Sequence, residues 1–162
     1  MGQTERKRGA EQGFDGGKRV KGSKRHLLVD TMGWVWNCFI TAANVADVKA
    51  AAAVFVPVLE TVERVEKALA DKGYRGKLGG QLERQYGCQL DIGQWVGEGF
   101  EPQPWRWGGE RTFAGLDNAR RLARDDEERP ESHEGFVYLA MIRLLLRRMG
   151  NNRRQHRSVT SF

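Results

Sequence analysis

A single mixed α/β domain is what this sequence predicts, and three observations carry that expectation. Two runs with strand character, KRHLLVDT from Lys24 and VWNCFITAA from Val35, flank the turn-like TMGW. An Ala-rich helical pattern follows and gives way to a short alternating run, the succession that builds α/β folds. The chain has 162 residues, enough for one real core and too few for two large ones.

In chain order, residues 1–17 are rich in Gly and charge and poor in apolar side chains, so a flexible basic arm is expected, with order beginning at Lys18. The two strand-like runs should pair as an antiparallel hairpin. Asn44 suits the N-cap of a helix starting near Val45, with Asp47 in its first turn, where the helix dipole favours a negative charge. In VADVKAAAAVFVPVLETV the apolar positions Val48, Ala52, Phe55, Val56 and Leu59 keep helical spacing. Pro57, lacking an amide hydrogen, should kink or divide that helix. RVEKALAD alternates as a short strand ending at Asp71, and KLGGQLERQYG reads as a helix weakened by Gly79 and Gly80. CQLDIGQWV reads as a strand with Cys88, Leu90 and Ile92 on one face.

Residues 97–109, GEGFEPQPWRWGG, are too rich in Gly and Pro for a helix and are expected to form a loop. ERTFAGLDNARRLARDDEE then reads as an amphipathic helix opened by Glu110 and broken by Pro130. The strongest helical pattern is ESHEGFVYLAMIRLLLRRMG, with an apolar stripe of Phe136, Leu139, Ile142 and Leu146. Arg143, Arg147 and Arg148 lie towards its C-terminal end, the end that favours cations. Residues 151–162 are expected to be a disordered basic tail, leaving residues 18–150 as the domain.

Composition removes several function classes. Hydrophobic residues make up 40% and charged residues 30%, a balance that argues against a disordered or membrane protein. No apolar run approaches the roughly 20 residues that span a bilayer. The charged start MGQTERKRGAEQ has no apolar region behind it, so no signal peptide is expected, and the expected location is the cytoplasm. Arg6 stands where a myristoylation motif needs Ser or Thr. Cys38 and Cys88 form no CxxC pair and have no nearby His, so two buried reduced thiols are expected. There is no phosphate-cradling P-loop, and ATP use is not expected.

Charge is unevenly placed. Residues 1–25 carry eight Lys or Arg against three acids, and residues 143–162 carry six Arg and no acid. Subtracting these ends from the total of +6 leaves residues 26–142 at −5. An acidic body between basic ends suits a phosphate-binding protein with a carboxylate metal site, and equally suits charged tails that only keep a protein soluble. The cluster Lys18, Arg19, Lys21, Lys24 and Arg25 lies at the entry to the hairpin and is a candidate DNA-binding cluster.

Two carboxylates are candidates for chemistry. Asp71 falls at the C-terminal end of a strand, where α/β folds place their sites, although Asp also ends strands simply as a turn former. Glu110, followed by Arg111, opens a helix, which dipole preference alone also explains. Two such groups from separate elements could hold metal ions about 3.5–4 Å apart for phosphoryl transfer. His26 and His133 read as hydrogen-bonded structural or surface residues rather than ligands, and His156 lies in the tail. Trp105 and Trp107 could pack the loop or stack on unpaired bases.

Four blocks, in order, carry a family resemblance: GFDGGKRVKGSKRHLLVDTMG at 13–33, ADKGYRG at 70–76, RWGGERTFAGL at 106–116 with RRL at 120–122, and RPESHEGFVYLAMIRLLLRR at 129–148. With them, residues 13–150 resemble the C-terminal part of a bacterial insertion-sequence DDE transposase of the IS-five branch. The resemblance implies a ribonuclease H-like fold, a mixed sheet with flanking helices. It also implies Mg²⁺ (or Mn²⁺) as cofactor and DNA, both transposon ends and target, as partner, with a nucleoid association in the cytoplasm. Asp71 falls on the family's second catalytic and metal-binding carboxylate and Glu110 on its third, 39 positions on. Tyr74, Arg75, Arg111, Arg120 and Arg121 fall where the DNA backbone is expected.

The departures shape the expectation as much as the matches. The family's first catalytic Asp lies on a strand upstream of the GFD block, in a segment like D-S-Q-S, whereas here no Asp precedes Asp15. That first strand and its ligand are expected to be missing, and Asp30 does not replace it. Gly108, Gly109 and Gly115 are expected to loosen the helix bearing Glu110, at about 1 kcal/mol each. The chain is therefore expected to be the downstream frame of a two-frame element or a truncated gene, inactive alone, with a homo-oligomer or an upstream-frame product as protein partner. The alternative is a non-catalytic DNA-binding remnant or an inhibitor of full-length transposase.

Overall fold

The computed structural model of the chain describes residues 13–17, 19–93, 106–123, 127 and 129–159, with 15, 20, 106–108 and 151–159 given by backbone alone. Its centre is an antiparallel hairpin of β2 (Val20–Val29) and β3 (Val35–Ala42), registered from Ser23 opposite Ala42 to Leu28 opposite Asn37. The turn is closed by Asp30, whose Oδ1 accepts the amides of Met32 and Trp34, both at 2.8 Å. A short strand β1 (Gly13–Asp15) pairs antiparallel with the start of β2. Order therefore reaches back to Gly13, inside the segment expected to be a flexible arm, while residues 1–12 and Lys18 lie outside the described residues.

Strand alternation sends neighbours to opposite faces, and the hairpin separates two cores accordingly. On one face Leu28 and Phe39 pack against α1 (Asp47–Thr61), α2 (Leu78–Tyr86) and the strand β4 (Lys67–Ala70), around Val54, Phe55, Leu59 and Leu82. On the other, Leu27, Cys38 and Ile40 pack against α3 (Arg106–Asp117) and α4 (Pro130–Val159), around Leu116, Leu122, Val137 and Met141. β4 and β5 (Gln89–Ile92) form a separate parallel pair with α2 as their crossover. The architecture is the expected mixed α/β arrangement. Beyond Gly22, β2 has a strand partner only on its β3 side, and β4 only on its β5 side, among the described residues.

Several expectations change. α1 starts at Asp47 with Ala46 at its N-cap and no side-chain cap; Asn44 lies instead over Gly13 of β1. Pro57 neither ends nor divides α1, because its missing amide is replaced: Asn37 Nδ2 donates to the carbonyls of Ala53 at 3.0 Å and Val54 at 2.9 Å. α3 begins at Arg106, so residues 106–109 belong to a helix rather than to the expected loop, and residues 97–105 lie outside the description. A Gly pair weakens a helix without forbidding it. α3 then ends at Asp117, well short of the expected run. Leu116 and Leu122 are both fully buried, yet six positions place side chains roughly 120° apart on a straight helix. Turns through Ala119 let both enter one core.

α4 takes Pro130 into its first turn, where a proline costs no hydrogen bond. Its backbone stays helical to Val159, beyond Gly150, where a disordered tail was expected. The face it buries is also not the expected stripe: Val137, Ala140 and Met141 are buried, whereas Leu139, Ile142 and Leu146 are 52–63% exposed. α4 closes the outer edge of β3, since Glu134 Oε1 accepts the amide of Ile40 at 3.0 Å and Tyr138 OH that of Cys38 at 3.1 Å. Both cysteines are free and buried, and burial pushes the Cys38 thiol up to about 12. Among the described residues no helix is long and apolar enough to cross a membrane.

Candidate active site

β4 brings the chain to Asp71. Ala68 and Ala70 face the core, small enough to let the strand lie close to α1 and α2, and the chain then leaves the sheet through one 3₁₀ turn, Lys72–Tyr74. Asp71 caps that turn: its Oδ1 accepts the Lys72 amide at 2.9 Å, and its carbonyl accepts the Tyr74 amide at 3.0 Å. The carboxylate is exposed at the C-terminal end of the parallel pair.

Behind it lies a polar cluster on the α1 face of the hairpin. Tyr74 turns inward, its ring edge-on to both His26 and Phe55, and its hydroxyl lies 2.8 Å from His26 Nδ1. The other ring nitrogen of His26 lies 2.9 Å from Thr41 Oγ1 on β3. Burial lowers the His26 pKa; Asp47, 4.0 Å away, opposes this and Lys24 adds to it. The imidazole is thus held neutral, one nitrogen donating and the other accepting. Burial likewise raises the Tyr74 phenol, assisted by the charges of Asp47 and Asp71. Lys24 Nζ donates to Asp47 Oδ1 at 3.0 Å and to the Val45 carbonyl at 2.9 Å. Asp47 in turn presses on the 3₁₀ turn at Gly73, where an added Cβ would overlap Asp47 Oδ2. Gly73, the first of the two glycines in ADKGYRG, permits this approach.

Glu110 is the fifth residue of α3 and exposed, so it does not open the helix as expected. Two contacts place that helix. Thr112, buried, donates its hydroxyl to the Gly33 carbonyl in the hairpin turn at 2.7 Å. Gly115 lets α4 come close, a Cβ there standing 3.2 Å from Leu144 Cδ1. Gly115, expected to weaken the helix for lack of a side chain, also makes room there for Leu144 of α4. Asp71 is fastened to the α1 face of the hairpin, and Glu110 rides on a helix packed against the opposite face and the turn.

The basic candidates divide. Lys24 and Arg25, adjacent in sequence, point to opposite faces and are both engaged within the fold: Arg25 donates to the Leu122 carbonyl at 2.7 Å and stands 3.6 Å from Asp117. Arg19, Lys21, Arg75, Arg111 and Arg120 are exposed. Arg121 is exposed too, its guanidinium 5.3 Å from the centre of the Phe136 ring and 3.5 Å from Glu127. Reading the residues from sequence missed Asp47 and Thr112 as fasteners. The available signals were the Gly before Tyr74 and a Thr inside a helix flanked by charge.

Among the described residues no three His, Cys, Asp or Glu side chains gather to hold a metal ion. Asp71 and Glu110 are two carboxylates on separate elements, and an expected Mg²⁺ or Mn²⁺ centre of three ligands would need a further donor beside them.

Comparison with known proteins gives the class. Residues 2–89 match the family described as the transposase DDE domain, a stretch of just over half the chain that contains Asp71 and stops short of Glu110. The chain is also 29% identical over 130 residues to a Burkholderia cepacia protein described as a transposase for insertion sequence element IS402. That alignment covers 73% of this chain and 60% of the relative, so the chain spans less than two thirds of the relative's length. No solved structure matches. The chain belongs to the DDE transposase family of insertion sequences.

Proposed function

We propose that this chain is a partial DDE domain, of the IS-five branch and of ribonuclease H-like architecture, that binds DNA during transposition and supplies two acidic site residues, Asp71 and Glu110. The observation that carries the proposal is Asp71: an exposed carboxylate at the C-terminal end of a parallel strand pair, inside the matched stretch, with its turn packed against the hairpin. The domain of residues 18–150 is extended by β1 before it and by the helical backbone of α4 to Val159 after it. Arg75, Arg111, Arg120 and Arg121 with Arg19 and Lys21 are the phosphate contacts, whereas Lys24 and Arg25 hold the fold together. The family generally uses a divalent metal ion; the donor set described here is incomplete for one, so the chain by itself binds DNA and does not cut it. The edges of β2 and β4 that have no strand partner among the described residues favour the same reading, since each could take up an added strand.

The test has two arms. Fluorescence anisotropy on duplex DNA should show binding that weakens steeply with salt, and Arg111→Ala should reduce the log–log salt slope by about 1. Cleavage of element-end DNA should be absent with the chain alone and appear when the remaining portion of a transposase is supplied, then vanish with Asp71→Asn or Glu110→Gln. Cleavage by the chain alone would overturn the partial-domain reading, and activity that survives Asp71→Asn would overturn the site. Supplied transposase that the wild-type chain inhibits would favour the alternative role, a DNA-binding regulator, which the absence of a third donor among the described residues also suits.

A further inference from the structure

The geometry points to His26 and Tyr74 as positioning residues for Asp71, holding its carboxylate in place through the 3₁₀ turn. The inference rests on Asp71 being a site residue. A single 3₁₀ turn has poor hydrogen-bond geometry and little stability of its own. This one has two internal backbone bonds, Tyr74 N to Asp71 O and Arg75 N to Lys72 O, and Lys72, Gly73 and Arg75 face solvent. The one side chain it sends inward is Tyr74.

What Tyr74 meets is itself immobilised. His26 is 2% exposed, sits in the middle of β2 and is tied at its far nitrogen to Thr41 of β3. The ring of Phe55 from α1 braces Tyr74 edge-on. A continuous set of short contacts therefore runs from Thr41 through His26 and Tyr74 to the backbone of Asp71, each between 2.8 and 3.0 Å. From the other side, the Lys24–Asp47 pair closes on Gly73. The residues two and three places after Asp71 are thus fixed to β2 and α1, and the carboxylate inherits that placement. Groups that hydrogen-bond a metal-ligating side chain directly typically cost about 10–100-fold in activity or metal affinity when removed, and His26 and Tyr74, acting one backbone link further out, are expected at the lower end.

The test uses Tyr74→Phe, which removes only the hydroxyl, with His26→Gln and His26→Leu as a pair in which the first retains a donor and an acceptor. Amide hydrogen exchange of the intact chain is read by NMR. Tyr74→Phe and His26→Leu should speed exchange at the Tyr74 and Arg75 amides by about tenfold or more while amides in β2, β3 and α1 keep their rates; His26→Gln should restore much of the protection. Unchanged exchange in the turn, or a uniform increase across the chain, would overturn the inference, the latter making the hydroxyl an ordinary core hydrogen bond. In the supplied cleavage assay Tyr74→Phe should lower kcat about tenfold with KM for DNA unaltered. Full activity of Tyr74→Phe where Asp71→Asn is inactive overturns the positioning role alone. Activity that survives Asp71→Asn overturns the site reading and leaves the exchange result standing.

Discussion

The carbonyl left without an amide by Pro57 gives the sharpest test of how the hairpin is fastened to α1. In an unbroken helix the Ala53 carbonyl would accept from the amide at position 57, which a proline does not have. Asn37 donates in its place, at 3.0 Å to Ala53 and 2.9 Å to Val54, while Val54 also has the Val58 amide within helical reach. Replacing Asn37 by Ala leaves the Ala53 carbonyl without a donor, a loss of about 1–3 kcal/mol for a buried acceptor, with the lower half expected because Ala53 is only half-buried. The same change removes the 3.3 Å contact from Tyr138 OH to Asn37 Oδ1 and leaves a small void, so the single-variant value mixes several effects. A double-mutant cycle with Pro57→Ala separates them, because that change returns an amide to the helix. Urea unfolding of the four proteins, followed by circular dichroism at pH 7.5, should show Asn37→Ala costing about 1 kcal/mol less when Pro57 is already Ala. A coupling within about 0.5 kcal/mol of zero would refute the replacement argument.

Two further outcomes follow from the same contacts. His26 holds a proton more weakly in the folded chain than when exposed, because burial disfavours the imidazolium and Asp47 offsets that only in part. The unfolded chain then takes up more protons as the pH falls below about 6.5, so this contribution to stability is complete above that value and is lost below it, towards the lower folded pKa. Urea midpoints between pH 7.5 and 5.5 should decline in wild type and decline less in His26→Gln; equal slopes would refute the assignment. Thr112→Val keeps the shape of the side chain and removes its buried 2.7 Å bond to Gly33, which should cost about 1–2 kcal/mol, a fall in Tm of about 2–8 °C by calorimetry.

Local pattern was enough for the elements whose signals are short-range. The hairpin, β4, α2 and β5 lie close to where alternation, helical spacing and turn chemistry put them, and so does Asp71 at the strand end. Helix limits were less legible. Gly108 and Gly109 read as loop but are tolerated inside α3, and the run beyond Asp117 reads as helix but bends so that Leu116 and Leu122 share one core. In each case a small local preference, about 1 kcal/mol per Gly, yields to burial of large apolar side chains.

What the sequence by itself determined is the set of chemical parts and their order: four motif blocks, two candidate carboxylates on separate elements, two cysteines outside any CxxC pattern and basic ends. Which basic residues remain available to a partner was decided only by the tertiary structure. Lys24 and Arg25 are neighbours that alternation sends to opposite faces, each to meet an acceptor, from Val45 and Asp47 in one case and from Leu122 in the other. α4 carries apolar residues on more than one face, and its packing on β3 selects Val137, Ala140 and Met141 over the longer stripe. The contacts that seat the candidate carboxylates, His26 with Tyr74 and Gly33 with Thr112, join residues 48 and 79 positions apart. No local preference encodes such pairs. They exist because the hairpin forms a two-faced frame, and each polar group buried against that frame must find a partner there.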